Sequence, residues 1–137
     1  MLMKLPTRDG FTLIEVLIAM TIIGILAAFS VAMLWRSKDR AYESSMASDL
    51  RTMVTEQERY FAANNQYSAD FDALPNPVRS PGVEVTITYA EKNGWAATSV
   101  HPSVEGRICG IRVGQAPLSA AEVAVSAGYV QCAAAAE

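Results

Sequence analysis

Residues 10–35 read GFTLIEVLIAMTIIGILAAFSVAMLW, and this apolar stretch decides the fold of the 137-residue chain. From Phe11 to Trp35 the only charged residue is Glu15, and no proline interrupts the run. A helix of about 20 apolar residues crosses the hydrocarbon core of a bilayer, whereas the apolar part of a secretory signal peptide has only about 7 to 15 residues. The stretch therefore predicts a membrane-spanning helix over residues 11–35.

A short polar segment precedes the apolar stretch. Residues 1–10 read MLMKLPTRDG and contain two helix breakers, Pro6 and Gly10. Hydropathy alone leaves two interpretations open, a cytoplasmic tail that stays attached and a leader that is removed. Glu15 adds a second clue, because a carboxylate inside a spanning helix costs roughly 2.5 to 3.5 kcal/mol and such residues usually have a function. We therefore treat Glu15 as a candidate functional residue.

Residues 10–15, Gly-Phe-Thr-Leu-Ile-Glu, resemble the class III prepilin processing motif of type IV pilins and type II secretion pseudopilins. The resemblance implies that prepilin peptidase cleaves between Gly10 and Phe11 and methylates the new Phe11 amine. It also implies that Glu15 neutralises the terminal amine of a neighbouring subunit inside the filament core. Because an unpaired charge is costly in a dry core, such a pair specifies the stagger of subunits more than it adds stability.

The same resemblance implies a role and a set of partners. The chain is expected to be a structural subunit, not an enzyme, of a helical homo-oligomeric filament that serves adhesion, twitching motility or DNA uptake. Its expected partners are prepilin peptidase, an inner-membrane assembly platform, and membrane lipid before assembly. The precursor is expected to be a single-pass protein of the bacterial inner membrane with its head outside the cytoplasm, and the assembled filament is expected to be extracellular.

The distribution of charge determines neither the membrane orientation nor a nucleic-acid partner. Two positive residues, Lys4 and Arg8, precede the span and three, Arg36, Lys38 and Arg40, follow it, so the positive-inside rule does not fix the orientation. The net charge of −3 leaves no surplus of basic residues to neutralise phosphates. Nucleic acid is therefore not predicted as a partner, except through the assembled fibre.

The helix is predicted to continue beyond the span as an amphipathic segment over residues 36–65. No proline occurs between Pro6 and Pro75, and Asn64-Asn65 marks an end near residue 64. Apolar residues recur at helical spacing and predict one buried stripe. They are Tyr42, Met46, Leu50, Met53, Val54, Tyr60 and Phe61. The polar residues between them, Asp49 and Glu56 among them, are expected to form an ordinary solvated surface.

Residues 66–137 are predicted to form a small β head. Residues 70–81 contain three prolines and read as a loop. Apolar and polar residues alternate over 83–89, which predicts a strand. Residues 91–94 contain Asn-Gly and predict a hairpin turn to a return strand over 95–100, and 107–113 predict a third strand. The fold class is therefore α+β, a long N-terminal helix over about 11–64 packed against a small antiparallel sheet, as in pilins.

The two cysteines of the chain, Cys109 and Cys132, enclose 22 residues near the C terminus. An even pair in a small domain predicts a disulfide if the compartment is oxidising, and two buried free thiols are the alternative. A disulfide closing this loop contributes roughly 3 kcal/mol by restricting the unfolded chain. Pilins commonly close a C-terminal loop in this way.

The sequence predicts no metal, no cofactor and no catalytic group. His101 is the only histidine and is expected to be a structural or surface residue and not a catalytic base. Major pseudopilins usually carry an acidic calcium-binding loop near the C terminus. In residues 114–137 the only acidic residues are Glu122 and Glu137, which favours a pilus subunit. Three alternatives stay open. They are a type II secretion pseudopilin, a bitopic membrane-anchored binding module, and a secreted domain released near Ser30.

Overall fold

The structure is a computed structural model, and it describes residues 10–121, 123 and 126–135. The expectations for residues 1–9, Glu122 and Glu137 lie outside the described residues. The chain divides into two compact units at Ser37 and Lys38, and each is described by itself. The elements are α1 (Leu13–Asn64), β1 (Glu84–Glu91), β2 (Gly94–Val100), β3 (Arg107–Gly114), a 3₁₀ helix (Leu118–Ala121) and β4 (Gln131–Ala134).

Helix α1 confirms the predicted helix. The helix is continuous because no proline interrupts it and because its one glycine, Gly24, is tolerated in an apolar helix. The residue that follows the helix, Asn65, has a left-handed conformation with a φ of 55°. The Asn65 amide donates to the carbonyl of Phe61 at 2.8 Å. Asparagine is among the few residues other than glycine that adopt this conformation readily, so it closes the helix without a glycine.

In the N-terminal unit, residues 10–37, the large apolar side chains are exposed, from Phe11 at 86% to Val16 at 45%. The helix is long and apolar enough to cross a membrane by length and composition, with a mean hydropathy of 2.5 over its most apolar window. A helix pairs its backbone N–H and C=O groups with one another, and such a segment can therefore lie in lipid without unpaired polar groups.

The second unit, from Lys38 onward, contains an antiparallel sheet with the strand order β1-β2-β3-β4. Val85 pairs with Ser99, Ser99 with Cys109, and Cys109 with Cys132. The three predicted strands are confirmed. The fourth strand, β4, was not predicted, because its four residues are too short for an alternating pattern.

The predicted hairpin between β1 and β2 is confirmed, but its glycine has a different role from the one the sequence suggested. Lys92 and Asn93 connect the strands, and Gly94 already pairs with Glu91 as part of β2. A Cβ on Gly94 would lie 2.5 Å from the Val113 carbonyl oxygen. Glycine is therefore needed for close approach of two backbones and not for the turn itself.

The main core lies between the sheet and the part of α1 in the second unit. Three residues of the predicted stripe, Met46, Leu50 and Met53, are at most 2% exposed, and the other four, Tyr42, Val54, Tyr60 and Phe61, are partly buried. They join Trp95 and Ile111 of the sheet in one apolar cluster. Fully burying one such side chain contributes about 1.5 to 3 kcal/mol, so this contact is the main source of stability for the head.

Strand β2 is buried on both faces, which the sequence did not predict. Ala96 faces away from the main core and forms a second apolar cluster with Ala116 and Ala121. The segment around the 3₁₀ helix therefore covers the sheet. Small residues on both sides allow this close packing, and a Cβ on Gly110 would collide with the Ala121 carbonyl.

The expectation that the polar residues of α1 form a solvated surface was wrong for Asp49 and Glu56. They are only 8% and 4% exposed. Asp49 accepts hydrogen bonds from the backbone N and the hydroxyl of Ser80, both at 2.7 Å. The loop after the helix returns to α1 at Asp49, where Ser80 binds the carboxylate, and the path of the loop is not visible in helical periodicity.

Candidate processing and assembly site

The site predicted from the sequence lies at the start of α1, where the first helical residue is Leu13. Thr12 precedes it and occupies the N-cap position. The backbone N of Glu15 donates to the Thr12 hydroxyl at 3.3 Å, and the backbone N of Thr12 donates to Oε2 of Glu15 at 2.9 Å. This reciprocal pair is a capping box, which satisfies two of the backbone donors that a helix start leaves unpaired.

The hydroxyl of Thr12 makes a third bond, donating to the same Oε2 of Glu15 at 2.9 Å. Hydrogen bonds to a charged acceptor are stronger than neutral ones. Glu15 is thus held against the N-terminal end of its own helix, among exposed apolar neighbours such as Leu13 at 81% and Ile14 at 67%.

The bond between Gly10 and Phe11 lies outside the helix. Both residues are exposed, and neither belongs to an element of regular structure. Apart from the chain neighbours of Gly10, no atom of the described residues lies within 4 Å of the position that a Cβ on Gly10 would take. The bond that the sequence motif predicts to be cleaved therefore precedes the capping box, which begins at Thr12.

The sequence predicted Gly10, Phe11 and Glu15 as candidate functional residues and did not indicate Thr12. The structure places these three residues within one short segment and adds Thr12 as the partner of Glu15. A local signal could have found it, because Thr-x-x-Glu before an apolar run is the sequence pattern of a capping box.

The predicted disulfide is confirmed, since Cys109 and Cys132 are bonded to each other. They are directly paired residues of β3 and β4. The bond attaches the last strand to the sheet, and the Ala135 backbone N continues the attachment by donating to the Gly106 carbonyl at 2.8 Å.

Of the two roles expected for His101, structural or surface, its burial favours the structural one. It is 7% exposed and stacks on Tyr42 of α1, with ring centroids 4.2 Å apart. Its Nδ1 accepts a hydrogen bond from the backbone N of Ser103 at 3.1 Å. A Cβ on Gly82 would lie 2.6 Å from His101 Nε2, so the glycine makes room for the ring.

An ion pair joins the sheet to the helix near this histidine. Arg107 Nε donates to Glu43 Oε1 at 2.6 Å, and both side chains are partly exposed. The hydrogen bond to Glu43, and then its negative charge, raise the pKa of Arg107. A partly exposed pair of this kind contributes modestly to stability but fixes the position of β3 on α1.

Near the C-terminal end of α1, the hydroxyl of Tyr67 donates a hydrogen bond to Oε1 of Glu58 at 3.0 Å. Burial raises the pKa of Tyr67, and the hydrogen bond and charge of Glu58 raise it further. Tyr60 and Tyr67 line a polar depression of about 360 Å³ together with Lys92.

Among the residues that the structure describes, no group of three or more His, Cys, Asp or Glu is arranged to hold a metal ion.

Comparison with known proteins bears directly on the start of α1. Residues 6–31 match the family described as the prokaryotic N-terminal methylation motif. The type IV wide pilus major component PilA4 of Thermus thermophilus is 36% identical over 95 residues, which are 67% of this chain and 72% of the relative. The chain belongs to the type IV pilin and pseudopilin family.

Two other relatives show the breadth of this family. The type II secretion system core protein G of Klebsiella michiganensis is 28% identical over 93 residues, 68% of this chain and 66% of that protein. The type IV major pilin protein PilA of Myxococcus xanthus is 36% identical over 63 residues, 46% of this chain and 29% of that pilin. The chain thus spans just under two thirds of the first relative and less than one third of the second.

The family membership explains the architecture. Pilins and pseudopilins combine an apolar N-terminal helix with a small head, and this chain has α1 followed by a four-stranded antiparallel sheet. The match at residues 6–31 covers Gly10, Phe11, Thr12 and Glu15, so the motif and the capping box coincide.

Proposed function

We propose that this chain is a structural, non-enzymatic subunit of a type IV pilus-like surface filament. The observation that carries the proposal is the contrast between the two parts of α1. From Phe11 to Trp35 the large apolar side chains are exposed, whereas Met46, Leu50 and Met53 are buried in the head. The head closes its own core, and the first part of the helix needs another apolar environment.

That environment changes during the life of the subunit. In the precursor it is the lipid of the inner membrane, which a helix of this length and hydropathy can cross. In the filament it is a bundle of the same helices from other copies of the chain. A homo-oligomeric helical assembly buries the same apolar surface without lipid, with an inner-membrane platform supplying subunits.

The proposed processing follows from the start of the helix. Prepilin peptidase removes residues 1–10 by cleaving between Gly10 and Phe11 and methylates the Phe11 amine. Residues 11–35 then form the filament core, 36–65 the amphipathic continuation, and 66–137 the head with its disulfide loop.

Glu15 is proposed to bind the terminal amine of the neighbouring subunit. A carboxylate and an ammonium are each costly in an apolar core when unpaired, so a packing register that separates them is disfavoured. Support comes from the position of Glu15, which lies four residues after the proposed new terminus and among exposed apolar side chains.

The head is proposed to lie outside the cytoplasm. Its disulfide between Cys109 and Cys132 is of a kind that forms and persists in oxidising compartments and is rare in the cytosol. The filament that carries such heads would serve adhesion, twitching motility or DNA uptake.

A pseudopilus of type II secretion is the second candidate. It is favoured by the relatives, since core protein G of Klebsiella michiganensis aligns with 68% of this chain. The two functions use the same assembly chemistry and differ in where the fibre ends. A pseudopilus is confined to the envelope, whereas a pilus extends from the cell surface.

The test is the intact mass and N-terminal sequence of the protein recovered from filaments sheared off the native host. We expect a chain that begins at methylated Phe11. The same protein found only in envelope fractions would favour the pseudopilus. A chain that begins at Met1, or beyond Ala32, would contradict both functions.

A further inference from the structure

A second depression of the head, of about 300 Å³, has a mostly apolar lining, and we call it the apolar depression. Val100, Pro102 and Val104 supply apolar side chains, and two exposed carboxylates, Glu84 and Glu105, line it as well. Among the residues that the structure describes, none forms an ion pair with either carboxylate. The apolar depression therefore combines an apolar surface with two uncompensated negative charges.

One positive residue, Arg107, also lines the apolar depression, but its charge is engaged by Glu43 at 2.6 Å. This pair is neutral as a whole, so it does not cancel the charge of Glu84 and Glu105. A partner that fits must therefore carry positive charge next to an apolar surface, because complementary charges fix the register of a contact and disfavour wrong partners.

One face of α1 in the N-terminal unit has this composition. Phe29 and Met33 are 74% and 77% exposed, and Arg36 is exposed too. Their spacings of four and three residues place them on one side of the helix, and Arg40 follows four residues later in the sequence. Helices that dock in a groove present their contact residues at such spacings. In the described part of the chain, no carboxylate forms an ion pair with either arginine.

We propose that the apolar depression of one subunit binds this face of α1 from a second copy of the chain, an inference that rests on the proposed function. Met33 packs against the apolar lining. The two arginines, Arg36 and Arg40, pair with the two carboxylates. A second copy is the occupant because its arginines complement the charge of the apolar depression, and because a filament brings many copies of this face next to the heads.

The contact selects one arrangement of a head against a neighbouring helix. Ion pairs that stay partly exposed add little affinity, whereas like charges that face each other are strongly unfavourable. A different stagger of subunits moves Arg36 away from the carboxylates and leaves the apolar lining uncovered. The charges therefore act on the choice of register more than on the strength of the filament.

The experiment reverses the charges on each side of the contact and then on both. The acidic side is changed in E84K/E105K and the basic side in R36E/R40E, and a combined variant carries all four substitutions. Filaments sheared from cells are compared with mature subunits in the membrane. N-terminal mass confirms that each chain begins at Phe11, so that processing and assembly are measured separately.

The matched control is R51E/E91K, which reverses one charge of each sign outside the proposed contact. Arg51 lies on α1 and Glu91 at the end of β1, and both are exposed. This variant keeps the net charge of the combined variant, so it separates the position of the reversed charges from their number.

We expect each one-sided reversal to reduce filament yield roughly tenfold or more, because like charges then face each other in every contact. The combined variant is expected to recover to within about threefold of the wild type, since opposite charges face each other again. The control is expected to stay within about twofold, as substitutions at exposed positions have small effects.

A second measurement detects the contact directly in assembled filaments. Met33→Cys and Val100→Cys are placed in one chain, whose own two cysteines are already bonded to each other. Mild oxidation is expected to link neighbouring subunits into a ladder of covalent multimers on a non-reducing gel, because a disulfide requires its two Cα atoms to lie within about 7 Å. Met33→Cys with Glu91→Cys is the control and is expected to give no ladder.

Several outcomes overturn the proposal. Normal filament yield from either one-sided reversal means that the charges have no role, and a combined variant that does not recover means that they do not face each other. A loss confined to R36E/R40E means that the arginines bind anionic lipid headgroups instead. Ladders of equal strength from both cysteine pairs also contradict it. Failure of the proposed function has a different signature, which is the absence of filaments from the wild type.

Discussion

Asp49 on α1 binds Ser80 through two hydrogen bonds of 2.7 Å, one from the backbone N of Ser80 and one from its hydroxyl. These residues are separated by 31 positions, so the contact attaches the proline-containing loop to the helix. Asp49 is 8% exposed. The loop could not reach the helix at this point without leaving polar groups buried, and the carboxylate satisfies both donors.

We predict that Asp49→Ala destabilises the head by about 1 to 3 kcal/mol, because Ser80 is left with an unsatisfied backbone donor. For a unit of about 100 residues this lowers the Tm by several degrees per kcal/mol. The measurement is thermal unfolding of the full chain in detergent, followed by near-UV circular dichroism. Asp39→Ala is the matched control, since Asp39 is an exposed aspartate of the same helix. Equal Tm values for the two variants would contradict the prediction.

A second polar attachment involves Gln57, which is fully buried on α1. Its Nε2 donates to the Ser68 carbonyl at 2.8 Å, and the Ser68 backbone N donates to its Oε1 at 2.9 Å. We predict that Gln57→Leu costs at least as much stability as Asp49→Ala, because it leaves a donor and an acceptor of Ser68 unsatisfied in a buried place. The exposed Gln66→Leu variant is the control, and unfolding in urea gives both free energies. A loss of stability that is the same in both variants would show that the hydrogen bonds to Ser68 are not the cause.

The elements that could be predicted are those with a local pattern. Helix α1 follows from an apolar run and a stripe at helical spacing, and β1 follows from alternation over a few residues. The disulfide between Cys109 and Cys132 followed from residue counting, because the chain contains no other cysteine. The processing motif at Gly10 to Glu15 is likewise contiguous in the sequence.

The features that were missed depend on partners distant in the sequence. Burial of Asp49 and Gln57 depends on where the loop returns, and no periodicity in α1 reports that path. The cover over the second face of β2 likewise depends on Ala116 and Ala121, which have no apolar pattern of their own. Thr12 is different, because its signal is local: Thr12 and Glu15 form the Thr-x-x-Glu pattern of a capping box in the sequence.

The disulfide gives a third prediction. We expect Cys109→Ser to lower the free energy of unfolding by about 2 to 5 kcal/mol under oxidising conditions, the usual cost of losing such a bond in a small domain. In reductant the wild type loses the same bond, so the difference between the two proteins becomes small. Thermal unfolding with and without reductant measures this. An equal difference under both conditions would argue that the effect comes from repacking around the buried serine.

The fourth prediction concerns pH and Tyr67. Its pKa is raised by burial first and then by Glu58, so the folded protein holds the phenol proton more tightly than the unfolded chain. The stabilisation is therefore fully present below the unfolded pKa of about 10 and is lost as pH rises from there through the raised folded pKa.

We expect Tyr67→Phe to be less sensitive to alkaline pH than the wild type over this window. Tyr129→Phe serves as the control, because Tyr129 is 70% exposed and belongs to the same head. Urea unfolding at a series of alkaline pH values gives the slopes. If Y67F and Y129F lose stability in parallel, the bond to Glu58 does not couple folding to this titration.

The final prediction concerns Glu15 itself. We expect Glu15→Ala to leave membrane insertion and cleavage after Gly10 intact, since removing a charge favours insertion of the apolar helix. Filament yield is expected to fall at least tenfold, roughly the effect of losing one charge-assisted hydrogen bond in each subunit contact. Electron microscopy of cells and the mass of the membrane-bound subunit measure assembly and processing separately. Abundant filaments of normal appearance from E15A would show that the terminal amine does not depend on this carboxylate, whereas mature subunits that accumulate in the membrane without filaments place the defect at subunit packing.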